Sequence, residues 1–248
     1  MSQEKTVYSK LRSMILNGAF DAGERLTELK VCEALGVSRT PVRAALLQLA
    51  SQNLVIGQSN RGYTVRGITV EDVWGANVVR SVLEGAAAGM VAREGVDGDV
   101  RDTLEQSLKD YGQLARHVEL SDDFLNNHSA ANRVFHETIV SASKNESLFR
   151  SIETLAYMPV QINRVVFASD RDFAIQTVQS GLAEHQSVLA AMLSGDGMAA
   201  ELLMRTHSQK ALRGIEHVQG VLGLGPEYRQ MPFHKFIGGL GISVVAAE

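Results

Sequence analysis

The chain has 248 residues, 45 % of them hydrophobic, with a net charge of −4 and one cysteine, Cys32. That suffices for one large or two ordinary domains with packed cores, while the short, interrupted apolar runs exclude a transmembrane helix. The amphipathic start MSQEKTVYSKLRSMILNG lacks a signal-peptide core, and a lone cysteine closes no intrachain disulfide, so a cytosolic protein is expected.

Charge is unevenly distributed. Residues 1–68 carry nine basic and five acidic side chains, and the remainder fifteen and twenty-three. A small basic module joined to a larger acidic one suggests that the first meets a polyanion. Val7, Leu11, Met14 and Ile15 form the apolar stripe of a first helix, and NGAFDAGERL supplies a turn. Thr27 is placed to cap a second helix that ends at Gly36. In LGVSRTPVRAALLQLASQNLV, Val42, Ala45, Leu46 and Leu49 line one face of a third helix. Ser38 is a suitable N-cap, and Pro41 falls in the first turn, where it is tolerated.

The polar end of that third helix needs a reason. Arg39 and Arg43 project from one side of a helix N-terminus, which is already partially positive. Two cations there cost stability unless an anion is expected. Downstream, NLVIGQSNRGYTVRGI reads as strand, turn, strand: Leu54 and Ile56 alternate with polar or small neighbours, Tyr63 and Val65 resume the period, and Arg61 sits at the tip. Helix-turn-helix followed by a basic-tipped hairpin is a winged helix, with the third helix entering the major groove. The anion is then the phosphate backbone of double-stranded DNA. Arg39 and Arg43 can reach guanine edges or phosphates, and Ser38 and Thr40 donate shorter bonds.

Residues 69–218 are expected to form an all-α antiparallel bundle, making the whole chain mainly α. TVED, from Thr69 to Asp72, has the form of a capping box and starts a helix to about Arg93. Further helices are expected over about 100–117, from Ser121 to about Ser143, and from Asn145 to about Val166 with a kink at Pro159. Two more run over about 172–193 and from the SGDG turn to about Val218. Residues 219–248 form a Gly-rich, apolar extension that could pack on its own bundle or on a second subunit.

The bundle's histidines carry a second signal. His185 and His207 are equidistant from Asp196 in the SGDG turn, so at ~1.5 Å rise per residue both lie roughly 16 Å from it. Asn132 and His136 are four apart on another helix and share a face. Three imidazoles and one amide oxygen can therefore meet in the interior, a donor set that suits one divalent metal ion, zinc or nickel. The alternative is that each is an ordinary core or surface residue. His128, one turn before Asn132, could compete as a ligand, while His117, His217 and His234 have no matching partner and read as surface residues.

YSKLRSMILNGAFDAGERLTE, LGVSRTPVRAALLQLASQNLV and NRGYTVRGIT resemble the N-terminal domain of the GntR family of bacterial transcription regulators, over residues 5–68. The resemblance implies DNA contacts from Ser38, Arg39, Thr40 and Arg43 and from the Arg61-Gly62 wing tip. One branch of the family contacts DNA through an arginine where this chain has Leu29, so that contact is missing here. NRVFHETIVSASKN, LAEHQSVLAAMLSGD and MRTHSQKA resemble the FCD effector domain of the FadR-like branch, over about 72–217. That resemblance implies a metal held by Asn132, His136, His185 and His207, with Asn in place of the more usual Asp. It also implies that Arg80, in the Arg80-Ser-Val-Leu-Glu84 context, points at the effector, with Arg164 a further candidate for the same pocket. An Arg80–Glu84 surface pair, worth ~0.3–0.5 kcal/mol, is the plainer alternative.

The expected protein is thus an effector-responsive regulator, acting as a repressor and binding operator DNA as a homodimer, with a small carboxylate as effector and no membrane partner. Two other readings stay open: a metal-dependent hydrolase-like bundle fused to a DNA-binding module, and an architectural DNA-binding dimer without effector. The first lacks an obvious general base, since Glu137 points about 100° away from His136 around the helix.

Overall fold

The computed structural model describes residues 3–58, 62–155, 167 and 169–240. They fall into two compact units: Met1–Val73 together with Leu224–Glu248, and Trp74–Gly223.

In the first unit, α1 (Gln3–Leu16) packs on α3 (Arg39–Ser51), with α2 (Glu28–Leu35) between them in sequence. The expected stripes are the buried ones, Val7, Leu11 and Ile15 on α1 and Val42, Ala45, Leu46 and Leu49 on α3, except that Met14 is only half-buried. Lys30 N donates to Thr27 Oγ1 at 3.2 Å, capping α2, and Gly36 closes it in the left-handed conformation, φ +65°. Ser38 occupies the N-cap of α3, but its side chain makes no capping bond.

Strands β1 (Arg25–Leu26), β2 (Val55–Gln58) and β3 (Gly62–Val65) form an antiparallel sheet in the order β1-β3-β2. β1 lies within the stretch read as a turn; two residues are too few to show alternation. The inward position of β2 also differs from the expected one. Val55 pairs with Val65 and both are buried, whereas Ile56 pairs with Thr64 and is 53 % exposed. A one-residue shift of register exchanges the two faces, which reverses the expected side of Ile56.

The chain's final described segment belongs to this same unit. A 3-10 helix (Pro226–Gln230) and α11 (Phe233–Gly238) bury Tyr228, Phe233, Phe236 and Ile237. Thr69 and Pro232 form an isolated antiparallel bridge, flanked by Val70 N→Met231 O at 3.1 Å and Phe233 N→Ile68 O at 2.8 Å. Through these bonds the described part of the extension pairs with residues 68–70 of its own chain.

α4 (Val70–Glu94) starts on the expected box. Asp72 N donates to Thr69 Oγ1 at 3.1 Å, and Thr69 N to Asp72 Oδ2 at 2.9 Å. Thr69→Ala should cost about 1 kcal/mol of stability in urea unfolding, largely restored by Thr69→Ser.

The second unit continues with α5 (Gly98–Arg116), α6 (Asp122–Ala142) and α7 (Glu146–Leu155), capped at the latter two by Ser121 and Asn145. The expected extension of α7 to Val166 and its kink at Pro159 lie outside the described residues. After α8 (Arg171–Leu193), the single last helix anticipated from sequence is two, α9 (Gly197–Ser208) and α10 (Lys210–Val221), interrupted at Gln209. No glycine or proline marks that break; it lies between Ser208 and Lys210, both held by bonds to other helices. α5 packs on α6 and α8, and α8 on α9. Leu104, Phe135, Ile139, Val188, Met192 and Met204 fill the core between them. At the α5–α8 crossing a Cβ on Gly181 would collide with the Tyr111 hydroxyl, so only glycine fits.

Candidate functional site

The N-terminal end of α3 is open. Ser38, Arg39, Thr40 and Arg43 are all exposed. Arg43 makes a two-point contact with Glu28, Nε to Oε1 at 2.7 Å and Nη2 to Oε2 at 3.3 Å. That hydrogen bond holds the Glu28 carboxyl below its ordinary range and raises Arg43. Glu28 escaped sequence reading because α2 and α3 had to be placed before the pair could be seen. Leu29 is exposed. Gly62 has φ +85°, and a Cβ there would sit 2.8 Å from the Leu26 carbonyl oxygen, so the backbone itself demands glycine. Arg61 lies outside the described residues.

In the bundle, His136 on α6, His185 on α8 and His207 on α9 come together. Each offers a ring nitrogen, and these three lie within 4.8 Å of one another. All three residues are buried. Their orientation is set by carboxylates that sequence reading did not place. Glu84 Oε2 accepts from His136 Nδ1 at 3.0 Å, and Glu184 Oε2 from His207 Nδ1 at 2.8 Å. An ionised carboxylate only accepts, so each Nδ1 carries the proton. In the neutral rings both Nε2 atoms are then lone pairs, and they face each other at 3.2 Å. Two acceptors at that distance repel unless a cation or a proton lies between them.

His185 adds an independent observation. Both its ring nitrogens are buried without a hydrogen-bond partner. Its ring stacks on Phe135, with centroids 4.2 Å apart, and lies 4.3 Å from that of His207. Burial pushes the His185 pKa well down, reinforced by His207 and His136. Burial also lowers His207, against the opposing hydrogen bond to Glu184. Both are thus held neutral, the form that ligates metal. An orphaned imidazole beside two inward-facing Nε2 atoms fits a divalent ion with nitrogen ligands. The carboxylate behind each of His136 and His207 is the usual outer support of such a ligand.

Arg80 and Glu84 are not a surface pair. Glu84 is only 2 % exposed, and its Oε1 accepts from Arg80 Nε at 2.7 Å while Oε2 also accepts from Ser208 Oγ at 2.6 Å. Burial alone would raise the Glu84 pKa; the adjacent His136 and Arg80, with the hydrogen bonds from His136 and Ser208, outweigh it, leaving the carboxyl well below its usual range. Lys210 Nζ donates to Glu184 Oε2 at 3.1 Å and to the Thr177 carbonyl at 3.2 Å. Arg80, Asn132, His136 and His207 line a cavity of about 90 Å³ together with Tyr111 and His128. Asn132 is half-buried. His128 does not join the three histidines: its Nε2 pairs with the Tyr111 hydroxyl at 2.8 Å, and burial pushes its pKa down to about 4. Of the histidines read as surface residues, His117 is exposed, whereas His217 stacks on Phe173 and pairs with Asp170, and His234 is half-buried. Arg164 lies outside the described residues.

Residues 3–65 match the family of bacterial regulatory proteins, gntR family, and residues 77–210 match the FCD domain. The chain is a GntR-family regulator with an FCD domain. Curated relatives of this regulator agree over nearly full length. The Bacillus subtilis HTH-type transcriptional regulator YdhC, itself uncharacterized, is 26 % identical over 220 residues, covering 89 % of this chain and 92 % of that one. A probable D-xylose utilization operon transcriptional repressor of Paenarthrobacter nicotinovorans is 26 % identical over 219 residues, covering 87 % and 91 %. The solved structure of E. coli McbR/YncC shares the fold, with a TM-score of 0.61 at 22 % identity, covering 86 % of this regulator and 96 % of that chain. The matched family and the two curated relatives are transcriptional regulators, so the hydrolase reading falls. No described helix is long and apolar enough to cross a membrane.

Proposed function

We propose that this GntR regulator is a homodimeric repressor whose operator affinity is set by a small carboxylate bound at a metal ion in the bundle. The observation that carries the metal is His185, with two buried, unpartnered ring nitrogens beside His136 and His207. The ion, zinc or nickel, would be held by the three histidines with Asn132 supplying a weaker amide oxygen, and would act as a Lewis acid toward an anionic ligand. Arg80 lines the same cavity and spends its Nε on Glu84, which leaves its terminal nitrogens to meet a carboxylate. The cavity, of about 90 Å³, is small, which favours a small acid.

Residues 1–68 would carry the DNA contacts and 69–218 the ligand. Exposure of Ser38, Arg39, Thr40 and Arg43 at one helix end supports direct readout, with Arg61 and Gly62 supplying the wing contact. Val79 and Val82 on α4 and Met198 and Leu202 on α9 are exposed apolar side chains of the kind a second subunit covers, and a dimer would present two recognition helices to paired half-sites. The repressor named among the relatives supports the sign. Effector binding would act by favouring one arrangement of the paired DNA-binding units over another.

Duplexes selected from a random-sequence library provide the DNA for the test. Arg39→Ala and Arg43→Ala should each weaken binding to the selected site by ~1–3 kcal/mol, with unchanged circular dichroism. Unaltered affinity in both variants would remove these residues from the interface.

A further inference from the structure

We infer that residues 224–240 are a functional strap of the DNA-binding unit and form a second tether through which the effector bundle acts on it. The chain leaves the first unit at Val73, builds the bundle, and returns at Leu224. The bundle is therefore an insertion between two parts of one folded unit, and each of its ends is a covalent route to that unit.

Both routes converge on the same few residues. α4 departs from Val70. The strap's Met231 carbonyl accepts from Val70 N, and its Phe233 N donates to the Ile68 carbonyl. Arg229 Nη1 lies 3.5 Å from Glu71 Oε2. The His234 ring lies so close to Gly18 that a Cβ there would be 2.7 Å from it. Phe236 and Ile237 are 1 % and 2 % exposed, so the strap is anchored by side chains fully withdrawn from water. Desolvated aromatic anchors and main-chain bonds together mark a segment that folds with the unit.

The other end of the tether starts at the histidines. α10 begins with Lys210, bonded to the Glu184 carboxylate that supports His207. Its twelve residues make a rod of ~18 Å, and it reaches the strap after Leu222 and Gly223. A module held by one connection can reorient without consequence for its neighbour. One held by two connections that meet at residues 68–71 forms a loop closed by the main-chain bonds of Ile68 and Val70 to the strap, so a shift of α10 biases the strap and the root of α4 together. This coupling needs no metal and does not rest on the ligand assignment.

Hydrogen exchange of the full-length protein, read by mass spectrometry, tests both parts. Phe236→Ala should speed exchange across residues 62–70 by about tenfold or more while leaving α5, α6 and α8 unchanged. Unchanged exchange at 62–70 would overturn the strap. For the tether, Ile215→Ala loosens α10 at a buried position. It should accelerate exchange at 66–70 and 224–240 in the natural-length chain. A flexible Gly/Ser insert of about ten residues between Gly223 and Leu224 should abolish that acceleration. Acceleration of equal size with and without the insert, or none in either, would overturn the tether. If Ile215→Ala does not fold, Leu212→Ala on the same helix replaces it.

Discussion

Glu84→Ala will destabilise the bundle by about 3–5 kcal/mol, measured by urea unfolding of metal-free protein. The size follows from burial and from how much one carboxylate holds. Glu84 joins α4 to His136 on α6 and Ser208 on α9, and neutralises Arg80. Its removal leaves the half-buried Arg80 without its counter-charge and the buried His136 Nδ1–H without an acceptor. Glu84→Gln keeps the shape and should cost less, separating charge from packing. Because its pKa is lowered on folding, Glu84 contributes stability that is full above the unfolded carboxylate value of about 4.3 and is lost as pH falls through the lower folded value. Thus in mildly acidic solution, the penalty of Glu84→Ala should stay undiminished. A loss below 1 kcal/mol would show that the network is not sustained in solution.

His185→Ala will abolish stabilisation of the protein by zinc or nickel. An ion at a thousand times its dissociation constant adds about 4 kcal/mol to the wild type. His136→Ala and His207→Ala should lose it as well, and Asn132→Asp should strengthen it, because a carboxylate donates better than an amide and lowers the charge of the site. The metal-free protein offers a sharper contrast. An unpaired buried polar group costs about 1–3 kcal/mol, so His185→Phe should be more stable than wild type without metal yet unresponsive to it. Elemental analysis of untagged protein gives the occupancy. Near-zero metal in the wild type after zinc and nickel are supplied, with melting unchanged by either, would leave the histidines as interior residues.

The legible features were those with a local signature. The stripe of Val42, Ala45, Leu46 and Leu49, the Thr27 and Ser121 caps, and the Thr69–Asp72 box each depend on residues within a turn or two of one another. The histidines came within reach because an antiparallel hairpin converts equal distance from a turn into equal height. What stayed hidden depended on contacts far apart in sequence. Glu84 was visible only as an i, i+4 partner of Arg80, whereas its bond to His136 spans 52 residues and that to Ser208 spans 124. Carboxylates behind ligating histidines are a general need, so a search for Asp or Glu one helix away from each imidazole could have raised Glu84 and Glu184. β1 and the face of Ile56 depended on sheet pairing rather than on pattern. The gap at Gln209 lies between two side chains held by other helices, which no propensity reports.

Because the DNA-binding unit is assembled from both ends of the chain, its completion comes late in synthesis. A ribosome that has made the whole bundle has still not delivered Phe233, Phe236 and Ile237. Until those residues emerge, the nascent first unit lacks the partners that pair with Ile68 and Val70. Translation that stops early, or a protease that cuts near Gly223, would therefore yield molecules that hold the whole bundle, His136, His185 and His207 included, but an unfinished first unit.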